Sequence, residues 1–213
     1  MWPTDEIGVT QTDDAELLAR ALGTMVHLST PLEHRDEIED LGVVEWAVHG
    51  LRTHGAANAG VCKYSLLLLS SLVDGSDRRK ALAVEVGAID AVVGMMECHR
   101  ADPELQKWGC MVLFNTTIEC AAARRSVGER GAIAAVAAGM LAHIDQLEVQ
   151  RMGTALLGAA LPKNDTLALS LNLPAAKEAK AFRAQRLAVR AYPNCREIQA
   201  VGALVMQTAM QAG

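Results

Sequence analysis

A chain of 213 residues and 22.7 kDa has room for one large domain or two small ones, and with 51% apolar and 21% charged residues it can bury a core. Only 3% of it is aromatic, so Ala, Leu, Val and Met must fill that core, which favours helices and argues against a β-sandwich or barrel. A formal charge of −5 and a pI near 5.7 argue against general nucleic-acid binding, and no nucleic acid is expected among its partners.

The opening residues, Met1-Trp2-Pro3-Thr4-Asp5-Glu6, have neither the basic nor the apolar region of a signal peptide. The longest apolar run, 64–73, is ten residues long and broken by serines, so no direct membrane insertion is expected. The cysteines, Cys62, Cys98, Cys110, Cys120 and Cys195, contain no Cys-x-x-Cys pair and read as reduced core thiols. A soluble protein of the cytoplasm or another reducing compartment is the expectation, with organelle targeting left open.

Along the chain the same pattern returns. The apolar residue at Leu17 recurs at Val61, Leu105 and Val149, each 44 residues on, and Ile198 follows after 49. Gly87-Ala88-Ile89 and Gly131-Ala132-Ile133 keep the same 44, with Gly42-Val43-Val44 45 residues earlier. His54, His99 and His143 form a third column, continued by Tyr192. The predicted elements are a leading long helix at about 14–29, then repeats at 31–74, 75–118, 119–162 and 163–213. In the second repeat a short helix over 76–86 ends at Gly87, an apolar helix covers 88–98, and a third runs about four turns from Leu105 to Ile118. Asp102 caps that third helix and Pro103 opens it. The last repeat carries an insertion of about five residues near Leu173-Pro174, counted against the others.

Gly87-Ala88-Ile89, then Val92-Val93-x-Met95-Met96, then Asp102-Pro103-Glu104-Leu105-Gln106-x-x-Gly109-Cys110-x-x-Leu113-x-Asn115 resembles an armadillo repeat. The resemblance covers nearly the whole chain. It implies an all-α fold, a right-handed α-solenoid of stacked armadillo-type three-helix repeats forming one domain over 1–213. It also implies that the third helices line a concave wall able to hold an extended peptide. In peptide-binding members an Asn at the Asn115 position bonds the ligand backbone, and a Trp four residues earlier shapes a pocket for Lys or Arg. This sequence has that Asn once. Met111 stands where the Trp would be, and His27, Ser71 and Ala159 fill the other Asn positions, which argues against a nuclear-import receptor of the usual type.

Stepping three or four residues along each third helix selects the wall's side chains. They include Lys63, Tyr64 and Ser71, then Lys107, Trp108, Met111 and Asn115, and finally Arg151. Asn115 reads equally well as a bond to a neighbouring helix. Small residues at Ala21, Ser65, Gly109, Gly153 and Gly202 would let helices approach closely. Charge is uneven as well: residues 1–50 hold eleven Asp or Glu against two Arg, a net −9, whereas 177–196 carry +5. Such a stack can attract a second copy head to tail, or two different partners. Arg183, Arg186 and Arg190 cluster on one helix face as a candidate patch for an acidic partner.

Catalytic strings fail. His34-Arg35-Asp36 lacks the Asn and Asp-Phe-Gly of a kinase, and Gly55 to Gly60 has Val61-Cys62 where a P-loop needs Lys and Ser or Thr. Glu45 and His49 find no third ligand in sequence. The His column spans successive repeats roughly 10 Å apart, too far for ligands that must each lie about 2 Å from one zinc. A helix-terminal role suits it better. The expectation is a non-catalytic interaction or scaffold protein with no cofactor and no metal, holding a peptide or protein along the third-helix wall. The alternative is an accessory subunit of a larger assembly that makes contact through its ends and charged flanks.

Overall fold

The computed structural model describes residues 14–31, 35 and 41–211, and every structural statement here concerns these. The start of the expected first repeat (32–34 and 36–40, with His34 and Asp36 of the His-Arg-Asp string) lies outside them, as do 1–13 and 212–213.

Twelve helices and no strand occur among the described residues. They are α1 (Ala15–Leu28), α2 (Val43–His54), α3 (Ala59–Val73), α4 (Asp77–Glu85), α5 (Ala88–Cys98) and α6 (Pro103–Thr117). Then come α7 (Ala121–Glu129), α8 (Ala132–Ala142), α9 (Leu147–Ala160), α10 (Thr166–Glu178), α11 (Ala181–Ala191) and α12 (Arg196–Gln211). From α4 onward they recur as a first, a second and a long third helix.

Each kind of helix packs on its own kind in the next repeat. The long helices α1, α3, α6, α9 and α12 form one row, α2, α5, α8 and α11 a second, and α4, α7 and α10 a third. A single apolar core runs between the rows, from Leu18 and Leu22 through Leu69, Met96 and Leu113 to Met140, Leu157 and Val205. Stacking supplies what one unit lacks, since three helices alone cannot cover their apolar faces.

The starts of the long helices follow from local chemistry. Asp14, Asn58 and Asp102 stand 44 residues apart, and each side chain accepts from the first turn: from Glu16 and Leu17, from Val61, and from Glu104 and Leu105. The second helices begin after a left-handed residue, Gly42, Gly87 or Gly131, with φ of 70°, 77° and 75°. Lys180 takes that place in the last repeat at φ 57°, a strained choice for a residue with a Cβ.

A glutamine, buried in the first two cases and partly buried in the third, closes the second helices α5, α8 and α11. Gln106 Nε2 donates to the carbonyls of Met96 and His99 at 2.8 and 3.0 Å, Gln150 to Met140 and His143 at 2.7 and 2.9 Å, and Gln199 to Val189 and Tyr192 at 2.8 and 3.0 Å. The carbonyls of Met96, Met140 and Val189 are helix-end acceptors, and those of His99, His143 and Tyr192 also accept a backbone N–H, from Asp102, Gln146 and Cys195. Two of the histidines reach backward. His99 Nε2 meets the Gly55 carbonyl and His143 Nε2 the Arg100 carbonyl, each in the preceding repeat. His99 and His143 thus tie one repeat to the next rather than capping their own helices.

The extra residues of the last repeat lengthen its first helix instead of forming a loop. α10 has 13 residues where α4 and α7 have nine, and Pro174 lies within it. Pro174 and Ser170, whose carbonyl loses its partner, are both exposed, so water can satisfy that group.

Candidate functional site: the wall of long helices

On the solvent side of the long-helix row two aromatic rings sit half-buried one repeat apart, each under a cation. Lys63 Nζ lies 5.7 Å from the centroid of the Tyr64 ring, and Lys107 Nζ 4.8 Å from that of Trp108. Tyr64 packs over Gly23 of α1, where an added Cβ would stand 3.4 Å from the ring. Lys107 pairs with Glu104 and Arg151 with Glu148, both at 2.6 Å, and the Glu148 hydrogen bond raises the pKa of the Arg151 guanidinium. Acid and base therefore alternate along this edge. Small notches of about 180 and 230 Å³ lie between the starts of successive long helices, one against Lys63 and Trp108, the other against Lys107 and Glu148.

The polar column further along points between helices. Asn115 Nδ2 donates to the Ser70 carbonyl at 3.3 Å and to the Ser70 hydroxyl at 3.2 Å, and Ser71 bonds to Ser29. The Asn115 amide nitrogen thus has its acceptors on the preceding long helix. Met111 stays half-exposed on the wall.

Beyond Asn115 the wall opens into an apolar hollow of about 510 Å³. Phe114 of α6 and Ile118, its C-cap, form one side and Val201 and Leu204 of α12 the other, with Ala155, Gly158 and Ala159 of α9 as the floor. The hollow exists because α9 has almost no side chain where α6 has Met111, Phe114 and Asn115. Lys163 stands at the rim, its Nζ donating to Gln207 at 2.5 Å. Sequence reading missed this feature. Its signal was the run of small residues on one face of α9.

The structure therefore brings Lys63, Tyr64, Ser71, Lys107, Trp108, Met111, Asn115 and Arg151 onto one row of helices. Arg183, Arg186 and Arg190 are elsewhere, exposed on α11 in the second row. No three His, Cys, Asp or Glu side chains among the described residues are grouped so as to hold a metal ion. No helix among them is long and apolar enough to cross a membrane.

No family model and no curated protein matches the chain. Solved structures do. An engineered protein superposes with a TM-score of 0.75 at 17% identity, over 96% of this chain and 78% of that one. A designed armadillo repeat protein in complex with a (KR)4 peptide gives 0.70 at 15% identity, covering 93% and 77%. Another designed armadillo repeat protein gives 0.56 at 15%, covering 93% and 95%. The chain adopts the armadillo-type repeat fold. Its long helices are the armadillo third helices, and the aromatic rings and the hollow lie on the armadillo third-helix wall.

Proposed function

We propose that this protein is a non-catalytic binding module that holds an extended peptide or protein segment along its third-helix wall. The observation that carries the reading is the hollow between Phe114, Ala159 and Leu204, on the same wall as the half-exposed rings of Tyr64 and Trp108. One bulky apolar side chain of the partner fills the hollow, and the chain on either side of it runs past Met111 toward the lysine-covered rings. Successive third helices lie about 8–10 Å apart, so an extended segment crosses one repeat roughly every three residues.

The designed neighbour bound to alternating Lys and Arg supports the use of this fold for a peptide, but not the same ligand. Lys63, Lys107 and Arg151 line the wall here, which disfavours a strongly basic segment. With Asn115 already bonded to Ser70, apolar anchoring takes the place of a ladder of backbone-binding amides.

Selection of a random displayed-peptide library on the purified chain tests the reading. Recovered peptides share a Leu, Met, Phe or Trp at one position and are not recovered on Ala155→Trp, which fills the hollow. Recovery of no peptide, or of peptides indifferent to Ala155→Trp, contradicts it.

A further inference from the structure

The hollow is mostly apolar, and Lys163 is the one charged residue among the described residues that line it. Among those residues its Nζ has one acceptor, the side-chain oxygen of Gln207 at 2.5 Å, which is neutral. Lys107 and Arg151, further along the wall, keep carboxylates of their own, Glu104 and Glu148. Asp165 is the acid nearest to Lys163 in sequence, but it pairs with Arg124 at 3.3 Å and caps α10 through the Ala168 N–H. The chain therefore leaves the Lys163 charge without a counter-charge at the mouth of an apolar hollow.

An ammonium has three N–H donors, and solvent takes those that Gln207 does not. A partner whose side chain fills the hollow covers this rim and displaces that solvent. A charge stripped of water with no opposite charge beside it is costly. A carboxylate on the partner answers both needs, as counter-charge and as hydrogen-bond acceptor. The two sides of the hollow differ in this respect. Exposed Glu119 follows Ile118 on the α6 side and disfavours an acid there, whereas Lys163 reaches α12 through Gln207.

We propose that the segment held on the third-helix wall carries an Asp or Glu within two residues of its apolar anchor, on the side away from Met111, and that Lys163 selects it. The inference rests on the reading of the hollow as the anchor site and adds the class of partner, an acidic and apolar segment rather than a merely apolar one. Two extended residues span at most about 7 Å, so a more distant acid lies over the next helix instead. Ala155, Gly158 and Ala159 set the room for the anchor, and Lys163 sets what stands beside it.

Fluorescence anisotropy with synthetic peptides built on one library-selected anchor tests this. In the set, Glu or Lys replaces Ala at each of the two places on either side of the anchor. On one side only, the unaltered chain binds the Glu peptide about two- to fivefold more tightly than the Ala peptide and the Lys peptide more weakly. Lys163→Glu reverses that order at the same place, and Lys163→Met levels it. Lys163 is exposed, and circular dichroism checks that both variants keep their helix content. About 0.5 M NaCl shrinks the differences. Glu peptides no tighter than Ala peptides, an order that Lys163→Glu leaves standing, or a preference met only by a free terminal carboxyl overturns the proposal. In each of those cases loss of the Ala peptide on Ala155→Trp still upholds the anchor site. An Ala peptide that Ala155→Trp binds as well as the unaltered chain does overturns the anchor site, and this inference with it.

Discussion

Gly109 of α6 lies so close to Met96 of α5 that an added Cβ would stand 2.7 Å from the methionine Cγ. Gly153 and Met140 repeat the arrangement one unit later at 2.6 Å. The second and third helices of these repeats can cross closely only because one of them has no side chain at the crossing.

Gly109→Ala therefore trades a helix-propensity gain of about 1 kcal/mol against an overpacking cost of about 1–3 kcal/mol, and a net loss of stability is expected. The loss shrinks in a Met96→Ala background, where the space is free. A double-mutant cycle in urea reads the coupling, and additive effects would show that the two side chains do not compete.

Gln106→Ala leaves the buried Met96 carbonyl without its side-chain donor, at a cost of about 1–3 kcal/mol, while the His99 carbonyl keeps the Asp102 N–H. Fraying begins at the carboxyl end of α5, so amides near His99 should lose hydrogen-exchange protection before those of α9. Gln106→Glu turns a carboxylate toward the same two carbonyls, and a folded protein that needs that group protonated loses stability as pH rises. Equal protection across the repeats in either variant would contradict this.

Burial pushes the Cys110 thiol up to about 12 and the Cys62 thiol up to about 11, the latter helped by nearby Cys98. An iodoacetamide pulse at pH 8 should label exposed Cys98 and spare both. The sign for stability follows. Above about pH 9 the unfolded thiols lose protons that the folded ones keep, so stability falls as pH rises between about 9 and 12. Early labelling of Cys110 would mean that its helix opens far more readily than this packing allows.

Much of the fold was legible because repetition is a property of sequence. The 44-residue return of Leu17, Val61, Leu105 and Val149 marks the long helices, and Gly42, Gly87 and Gly131 mark where second helices turn. Features that depend on two repeats meeting were not legible. Gln106 shows its use only once the Met96 and His99 carbonyls are beside it, and His99 reaches Gly55 across a repeat boundary. The hollow was hidden because it is made by what Ala155, Gly158 and Ala159 lack, and a reading that searches for chemistry-bearing side chains passes over small ones. The insertion near Pro174 was visible in the sequence, but not that the chain stays helical through it.

The most direct test of the account is calorimetric titration of one library-selected peptide into four proteins: the unaltered chain, Ala155→Trp, Trp108→Ala and Arg186→Glu. Excluding a buried apolar side chain from the hollow forfeits about 1.5–3 kcal/mol, so Ala155→Trp should weaken binding roughly 10- to 150-fold. Trp108→Ala should weaken it as well, and Arg186→Glu should leave it unchanged. Binding that survives both wall substitutions, or that disappears with Arg186→Glu, would contradict the assignment of recognition to the third-helix wall.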